Sequence, residues 1–426
     1  MGLNHEDTKT RSKYKAYPNY KDSGIEWLGE VPENWAVMQI KRLSPVKRGA
    51  SPRPIEDPKY FDDEGEFSWV RIADVSSSKN GLLTETTQRL SKLGASLSVK
   101  IYPNELFISI AGTVGKPCIS KIKACIHDGF VYFPKINIPS EFLFKIFESG
   151  LCYQGLGKMG TQLNLNTETV GGIHLALPPK EELDYLLNFL DQETGKMDLL
   201  IEKQQTMIAL LKEKRQSVIS HAVTKGLNPN TPLKDSGIKW LGQIPEDWEL
   251  KELKYLARVN NGKDQKEVLD DLGEFPVYGS GGIFGYANQY LFDGISVLLG
   301  RKGTIDKPLL VNGKFWTVDT MYWTKLKSNT CPQWFYYCCL TIPFKFYQYG
   351  SALPSMTQEA LHNHKFAVPK LQEQKEIVFY LDKQTQKIDS LIEKSQQAIA
   401  LLKERKTALI SAAVTGKIDV RGASDE

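Results

Sequence analysis

A chain of 426 residues, 41% hydrophobic and 24% charged, is long enough for two or three domains with ordinary cores and reads as a soluble globular protein. Lysine and arginine exceed aspartate and glutamate by only four, 54 against 50, so a nucleic-acid partner has to be met by local basic patches. The N-terminus has no apolar leader core and the longest apolar run, residues 334–340, is too short to cross a bilayer, so neither export nor a membrane partner is expected.

Residues 1–20 read as a polar, mobile tail, and residues 21–35 as an arm in which Gly24, Gly29 and Pro32 interrupt Ile25, Trp27, Leu28, Val31 and Trp35. That spacing predicts an irregular segment pinned by its tryptophans. Residues 36–177 form a first domain that alternates short β-like runs (67–75, 104–112, 129–136) with turn clusters and one helix over 141–150.

From residue 179 to 223 the pattern changes to a continuous helix. Leu183, Leu190, Met197, Gln204, Leu211 and Val218 recur every seven residues, with Leu186, Ile201 and Ile208 widening the stripe, as in a helix that buries one seam against another. A second arm follows, so that residues 178–248 hold the central helix and this arm. Residues 249–368 form a second domain with β-like runs at 295–300, 307–311 and 315–326 and a helix over 331–341. Residues 369–426 are the distal helix and C-terminal tail, with Leu381, Ile388, Ser395, Leu402 and Leu409 on the seam.

The chain writes its frame twice. Residues 190–224 match residues 381–415 at 21 of 35 positions, and the arm KDSGIEWLGEVPENW (21–35) returns as KDSGIKWLGQIPEDW (234–248) at 11 of 15. Both seams carry a polar residue at the same point, Gln204 or Ser395, which costs stability but can fix register. The two seams pair with each other on this reading; two independent amphipathic helices, each covering its own domain, are the alternative. The first arm is expected beside the end of the second helix. The inserts, 142 and 120 residues long, share only anchor points: GTVGKP (112–117) with GTIDKP (303–308), Asp128 with Asp319, and similar closing stretches at 160–178 and 350–369.

Chemistry-bearing motifs are few. GLGKMG (155–160) has the glycine spacing of a dinucleotide loop but follows a helix, so it reads as a flexible, Lys158-bearing loop. His362 and His364 have no metal-site partners at a familiar spacing and read as surface histidines. The six cysteines (118, 125, 152, 331, 338 and 339) lack zinc or disulfide spacing and are expected as free thiols in the cytoplasm. No catalytic motif is present, so the chain is not expected to be an enzyme by itself, and no metal or cofactor of its own is expected.

What stands out is a set of Gly-rich loops bearing cations, amides and aromatics. Lysine and arginine can neutralise phosphates, and arginine, amide and hydroxyl side chains can read base edges, although such loops are also ordinary solvent surface. The candidate DNA contacts in the first insert are Arg71, Ser109, Thr113, Lys116, Lys158, Thr161, Gln162 and Asn164. Those in the second are Lys263, Tyr278, Ser280, Arg301, Lys302, Thr304, Lys307, Tyr349 and Ser351.

With its duplicated arm, its Gly-Thr-x-x-Lys loops and the helix openings PPKEELDYLLNFLD and PKLQEQKEIVFYLD, the sequence from about 20 to 420 resembles the specificity (S) subunits of type I restriction-modification systems. The resemblance implies an α+β protein with two mixed α/β target-recognition domains, each reading half of a split sequence in double-stranded DNA. It implies that two long conserved helices join them as an antiparallel coiled coil, in a pseudo-twofold, nearly circular organisation. It also implies assembly with two modification (M) subunits that use S-adenosylmethionine to methylate adenine, and with restriction (R) subunits that use ATP and Mg2+. One departure stands in the helix openings: the second has the family's Glu-Gln at Glu373-Gln374, the first has Glu182-Leu183. A DNA-binding or coiled-coil scaffold outside restriction is the alternative reading.

Overall fold

A computed structural model describes residues 14–156, 165–347 and 355–422. The chain divides into two compact units, one made of residues up to Lys203 together with those from Ala398 on, the other of Gln204–Gln397. Each long helix is therefore shared between the units.

In the first unit the arm folds as a small ribbon, Tyr20–Asp22 pairing antiparallel with Glu30–Pro32. Gly24 and Gly29 hold the connecting loop at φ of 67° and 58°, a region costly for other residues. Leu28, Val31 and Trp35 are buried beneath it. The ribbon rests on the start of the first long helix, Lys180–Lys225. Glu182, in that helix's first turn, is buried and accepts hydrogen bonds from Trp35 Nε1 at 2.9 Å, from Asn34 Nδ2 at 3.2 Å and from the Tyr17 hydroxyl. A carboxylate out of water is tolerable only when donors surround it in this way.

The expectation of a mobile tail to residue 20 is corrected from residue 14 onward. Tyr14 stacks edge-on against Phe189 at 5.1 Å, Tyr17 is buried, and Lys15 bridges to Asp419. The aromatic side chains in YKAYPNY supply enough buried surface to order a segment whose charge pattern reads as tail. The end of the second long helix, Leu371–Val414, lies against the arm, as expected. There Gly416 is left-handed, with no room for a Cβ beside Pro32, and Lys417 Nζ donates to Glu30 O at 2.6 Å.

The second unit repeats this joint. Leu233–Asp235 pairs with Gln243–Pro245, Trp248 is buried, and its indole N–H lies 3.1 and 3.2 Å from the two carboxylate oxygens of Glu373. The unequal helix openings now have a physical account. Both glutamates receive the arm's indole, while the residue after each differs in surroundings: Leu183 enters the apolar core, and Gln374 accepts from Cys331 N at 2.8 Å and donates to Pro369 O at 3.0 Å.

Each insert is closed by a pair of strands at its own ends. Ala36–Gln39 pairs antiparallel with His174–Leu177, and Glu249–Glu252 with Lys365–Val368. Above this clasp the two inserts share a topology. Strand order is Lys47–Arg48, Phe130–Tyr132, Leu106–Ser109, Pro117–Ser120, with Leu82–Leu83 added in parallel at the edge, in the first and Ala257–Asn261, Met321–Leu326, Ser296–Gly300, Leu309–Val311 in the second. Beside each lies a sheet centred on a parallel pair, Phe67–Val70 with Ala124–Ile126 and Phe275–Gly279 with Lys314–Thr317. Several expected runs are shorter than their composition suggests. Residues 67–75 leave the strand at Val70 and turn into the helix Ile72–Ser77, whose start is fixed by the Arg71 amide donating to Asp74. Residues 315–326 break into two strands around Asp319. The short helices run over Ser140–Ser149 and Pro332–Cys339.

Along the long helices, Leu183, Leu190, Met197, Leu381, Ile388 and Ser395 are buried, and Gln204, Leu211, Val218, Leu402 and Leu409 half-buried. In the first unit Leu186 and Leu190 share a core with Ile410 and Val414, and Lys406 Nζ lies 2.9 Å from Asp198. In the second, Ile219 and Val223 share one with Ile377 and Leu381, and Arg215 forks onto Asp389 at 2.9 and 3.2 Å. In each unit the start of one helix thus packs beside the end of the other.

His364, expected on the surface, is 1% exposed. It precedes the closing strand, stacks on Trp240 at 4.9 Å and shares a 2.9 Å hydrogen bond with the Tyr347 hydroxyl. The six cysteines are free and buried, and burial pushes the thiols of Cys118, Cys125 and Cys152 up to about 12, which keeps them protonated.

Two outcomes follow from these contacts. Glu182→Ala strands three donors and should destabilise the first unit by about 2–4 kcal/mol, whereas Glu373→Ala strands one and should cost the second about 1–2 kcal/mol. Hydrogen exchange read separately over peptides of each unit distinguishes the two. Burial pushes the pKa of His364 down from 6.5 to about 4. The unfolded chain therefore takes up a proton that the folded chain refuses, so this contribution is complete above roughly pH 6.5 and is lost as pH falls towards 4, by about 2 kcal/mol at pH 5. Unfolding curves of the wild type and His364→Gln between pH 4 and 7 should show that slope only in the wild type.

Candidate nucleic-acid interface

In the first insert three loops and one short helix converge. Strand Leu106–Ser109 ends in the Gly-Thr loop, where Gly112 and Gly115 take φ of 64° and 84°. Ser109 is fully buried; its hydroxyl donates to Thr113 O and receives the Lys116 amide at 3.1 Å. That removes Ser109 from the candidate contacts and makes it the prop of the loop. Thr113 is exposed, and its hydroxyl meets that of Ser76 at 3.1 Å, while Lys116 Nζ donates to Ser76 O at 2.9 Å. The loop is thereby tied to the helix Ile72–Ser77, whose N-cap, Arg71, is exposed and bonded to Gln88.

The third component is the turn at Asp128, joined to the Gly-Thr loop by the Ile110 amide donating to Gly129 O at 2.8 Å. Asp128 accepts from Arg53 Nη2 at 3.1 Å and Ser51 Oγ at 3.2 Å, and its carbonyl from Arg48 Nε at 2.5 Å. These arginines come from the fourth component, the turn after Lys47–Arg48, where a Cβ on Gly49 would lie 2.1 Å from His127 O. Burial lowers the pKa of His127, and Nδ1 of its ring accepts the Gly129 amide at 2.8 Å, so the ring stays neutral and fixes the turn. Sequence reading passed over Arg48 and Arg53; the run KRGASPRP, arginines around a Gly-Ser-Pro turn, carried the signal.

The second insert repeats the scaffold with other side chains. A Cβ on Gly262 would lie 1.9 Å from Val318 O, and the Lys263 amide donates to Thr317 O at 2.9 Å. Arg301 Nη1 donates to the carbonyl of Asp319 at 3.1 Å, so the two matched aspartate turns each hold an arginine. Gly303, at φ 81°, brings its loop to within 3.3 Å of Ser280 Oγ, measured from the position a Cβ would take. Tyr278 pairs with Ile283 in the neighbouring hairpin and lies edge-on to Phe315. Lys263, Tyr278, Ser280, Arg301, Lys302 and Thr304 therefore belong to one loop cluster; Lys307 is exposed at the far end of the Gly-Thr loop. Lys158, Thr161, Gln162, Asn164, Tyr349 and Ser351 lie outside the described residues.

Beside this cluster a groove of about 650 Å³ is lined by Lys263 and by Arg258, Asn260, Asn261, Trp323, Gln358 and His362. None of these except Lys263 was singled out as a DNA contact in the sequence, because they come from three separate stretches. Arg71, Lys116, Lys263, Arg301, Lys302 and Lys307 form no salt bridge with a described carboxylate. Unpaired cations on rigid, glycine-shaped loops suit a polyanion, and amide and hydroxyl groups between them suit base edges. Among the described residues no cluster of three His, Cys, Asp or Glu side chains could hold a metal ion, and no helix is long and apolar enough to cross a membrane.

Comparison with known proteins adds an independent line. The family described as type I restriction modification DNA specificity domain matches residues 32–209 and again residues 245–401. The type I restriction enzyme MjaVIII specificity subunit of Methanocaldococcus jannaschii is 23% identical over 451 residues, spanning 94% of this chain and 97% of its own length. A second chain of that organism, provisionally named the MjaX specificity subunit, is 23% identical over 440 residues, spanning 95% and 97%. A solved chain from a study of complex assembly and conformational transition in a type I R-M system shares the fold, with a TM-score of 0.66 over 90% of this chain and 98% of its own at 16% identity.

Proposed function

The chain belongs to the type I restriction modification DNA specificity family, and from this premise we propose how it acts: each insert reads one half of a split DNA target, and the frame holds the two readers and their enzymatic partners. It is a specificity subunit, not itself catalytic. Methyl transfer from S-adenosylmethionine to adenine falls to two M subunits, and ATP- and Mg2+-dependent work to R subunits. The observation that carries the reading is a matched set of three loops, the glycine turn after the first sheet strand, the Gly-Thr loop and the aspartate turn, built in both inserts with different cations and polar groups displayed each time.

Several features support the finer reading. The seven-residue seam is buried or half-buried throughout, and its flanking ion pairs, Lys406 with Asp198 and Arg215 with Asp389, suit an antiparallel coiled coil. The duplicated joint between arm and helix suits a pseudo-twofold frame. Helices of 46 and 44 residues run to roughly 66–69 Å, about twice a turn of B-DNA, so they can act as a ruler between half-sites. Leu199, Leu200, Leu210 and Leu401 are 47–66% exposed along them, an apolar surface suited to M subunits.

Methylome sequencing of a host expressing this chain with its M subunit should return a split motif. Exchanging residues 36–177 for the insert of a relative should change one half of that motif and leave the other and the spacing alone; changes in both halves would contradict separable readers. Because Lys307 is exposed and has no carboxylate partner among the described residues, Lys307→Ala in the assembled complex should weaken binding to all sequences alike and lower the salt slope by about one, with the preferred bases unchanged. Filter binding over a range of salt concentrations checks this.

A further inference from the structure

The two inserts part company at one place. After the strand Phe67–Val70 the first insert turns into the helix Ile72–Ser77, which meets the Gly-Thr loop through Ser76, Thr113 and Lys116, all polar. The first insert then reaches its antiparallel edge strand, Gln88–Leu90, only after this helix, whereas after the matching strand Phe275–Gly279 the second insert turns directly into its edge strand, Gly282–Ala287, as a hairpin. Just past its turn, at Ser280 and Gly281, the returning strand displays Ile283 and Phe284, 51% and 54% exposed. Leaving large apolar groups in water on an edge strand beside a glycine-rich turn gains the monomer nothing, since no core receives them.

The position of this apolar edge says what covers it. A Cβ on Gly279 would lie 3.2 Å from the Phe284 ring and 3.9 Å from Val318, so the missing side chain lets the ring lie across the strand towards the Asp319 turn. Ser280 meets the Gly303 loop, which carries Arg301 and Lys302. The apolar edge thus rises from the cation-bearing loops assigned above to DNA. A protein partner matched to this patch would have to bury Arg301 and Lys302 against it; a duplex supplies phosphates for the cations and a stacked, apolar base interior for the ring. A two-stranded ribbon is also of a size that a DNA groove admits.

We propose that Phe284, supported by Ile283, is an apolar wedge that enters a base step of the half-site read by the second insert, unstacking it. The inference rests on the DNA-reading role proposed above. Part of this half-site is then read through the ease with which its step opens, favouring flexible pyrimidine–purine steps, while the first insert reads through polar contacts. The two half-sites are recognised by different physics on one scaffold.

The test uses the full chain assembled with its M subunits and duplexes of the methylome-defined target, with 2-aminopurine placed at successive positions of each half-site. Wild type should raise the fluorescence at one step of the second insert's half-site about threefold or more, and at none in the first insert's. Phe284→Ala should abolish that signal and weaken binding to the cognate duplex by about tenfold with an unchanged salt slope. Phe284→Leu, which keeps an apolar wedge, should retain most of both. Because Phe284 is half-exposed, circular dichroism of both variants should match wild type. Specific binding without any fluorescence rise in wild type, or a rise that persists in Phe284→Ala, overturns the wedge alone. Lost affinity in Phe284→Ala with the rise intact also overturns it, as it would mean surface contact with bases. Failure of the wild-type complex to prefer its target would overturn the DNA-reading role itself.

Discussion

The rest of this structure depends on a carboxylate in the first turn of each long helix, buried at Glu182 and half-buried at Glu373. Glu182 and Glu373 each receive the indole N–H of an arm tryptophan, Trp35 or Trp248, whose ring fills the space beneath the ribbon. The bond is directional and the ring is bulky, so together they fix both the register and the angle at which the arm meets the helix. Where the acceptor is withdrawn from water, fully at Glu182 and partly at Glu373, losing the partner leaves a charge or an indole N–H unsatisfied, at greater cost than the net gain of the bond. Both copies keep the arm tryptophan and the glutamate that receives it, although the rest of the two helix openings differs.

The strand clasps play the complementary role. Each insert leaves and rejoins its unit through adjacent antiparallel strands, and its short helix, Ser140–Ser149 or Pro332–Cys339, packs into the same core as the long helices. The Gly-Thr and aspartate loops take no part in the strand clasps or in the indole–carboxylate joints, so those loops can change while the joints stay the same. A divergent insert within a constant frame is the form this geometry permits, and it lets a reader change while its support stays the same.

Within the inserts the same separation recurs on a smaller scale. Gly49 and Gly262 lie against backbone carbonyls too closely for any side chain, and the turns at Asp128 and Asp319 each hold an arginine through their carbonyls. These fixed points hold loops whose displayed groups are free to differ: Arg53 and Thr113 in one, Lys263 and Arg301 in the other. The larger divergence, a capped helix against a two-residue hairpin turn, lies in the connection between a matched strand and its antiparallel edge partner, where the length of the link is free to vary.

The sequence by itself determined the frame, because its signals are local or periodic. The seven-residue seam, the glycine-interrupted arm and the duplicated segments need no knowledge of distant contacts, and the long helices run within a few residues of the expected spans. The pairing GTVGKP with GTIDKP likewise marked loops that prove structurally matched. Tertiary structure alone decided which side chains work together. Ser109 has a surface residue's chemistry and becomes a buried prop; His364 reads as solvent-facing and is enclosed by Trp240, Tyr347 and Phe366. Arg48 and Arg53 acquire their place only when the chain returns 75 to 80 residues later with Asp128. The groove of Arg258, Trp323 and Gln358 likewise joins three stretches far apart in the chain. Periodicity specifies which face of an element is buried, but the identity of the neighbours is set by strand order and loop closure, which no local pattern of residues encodes.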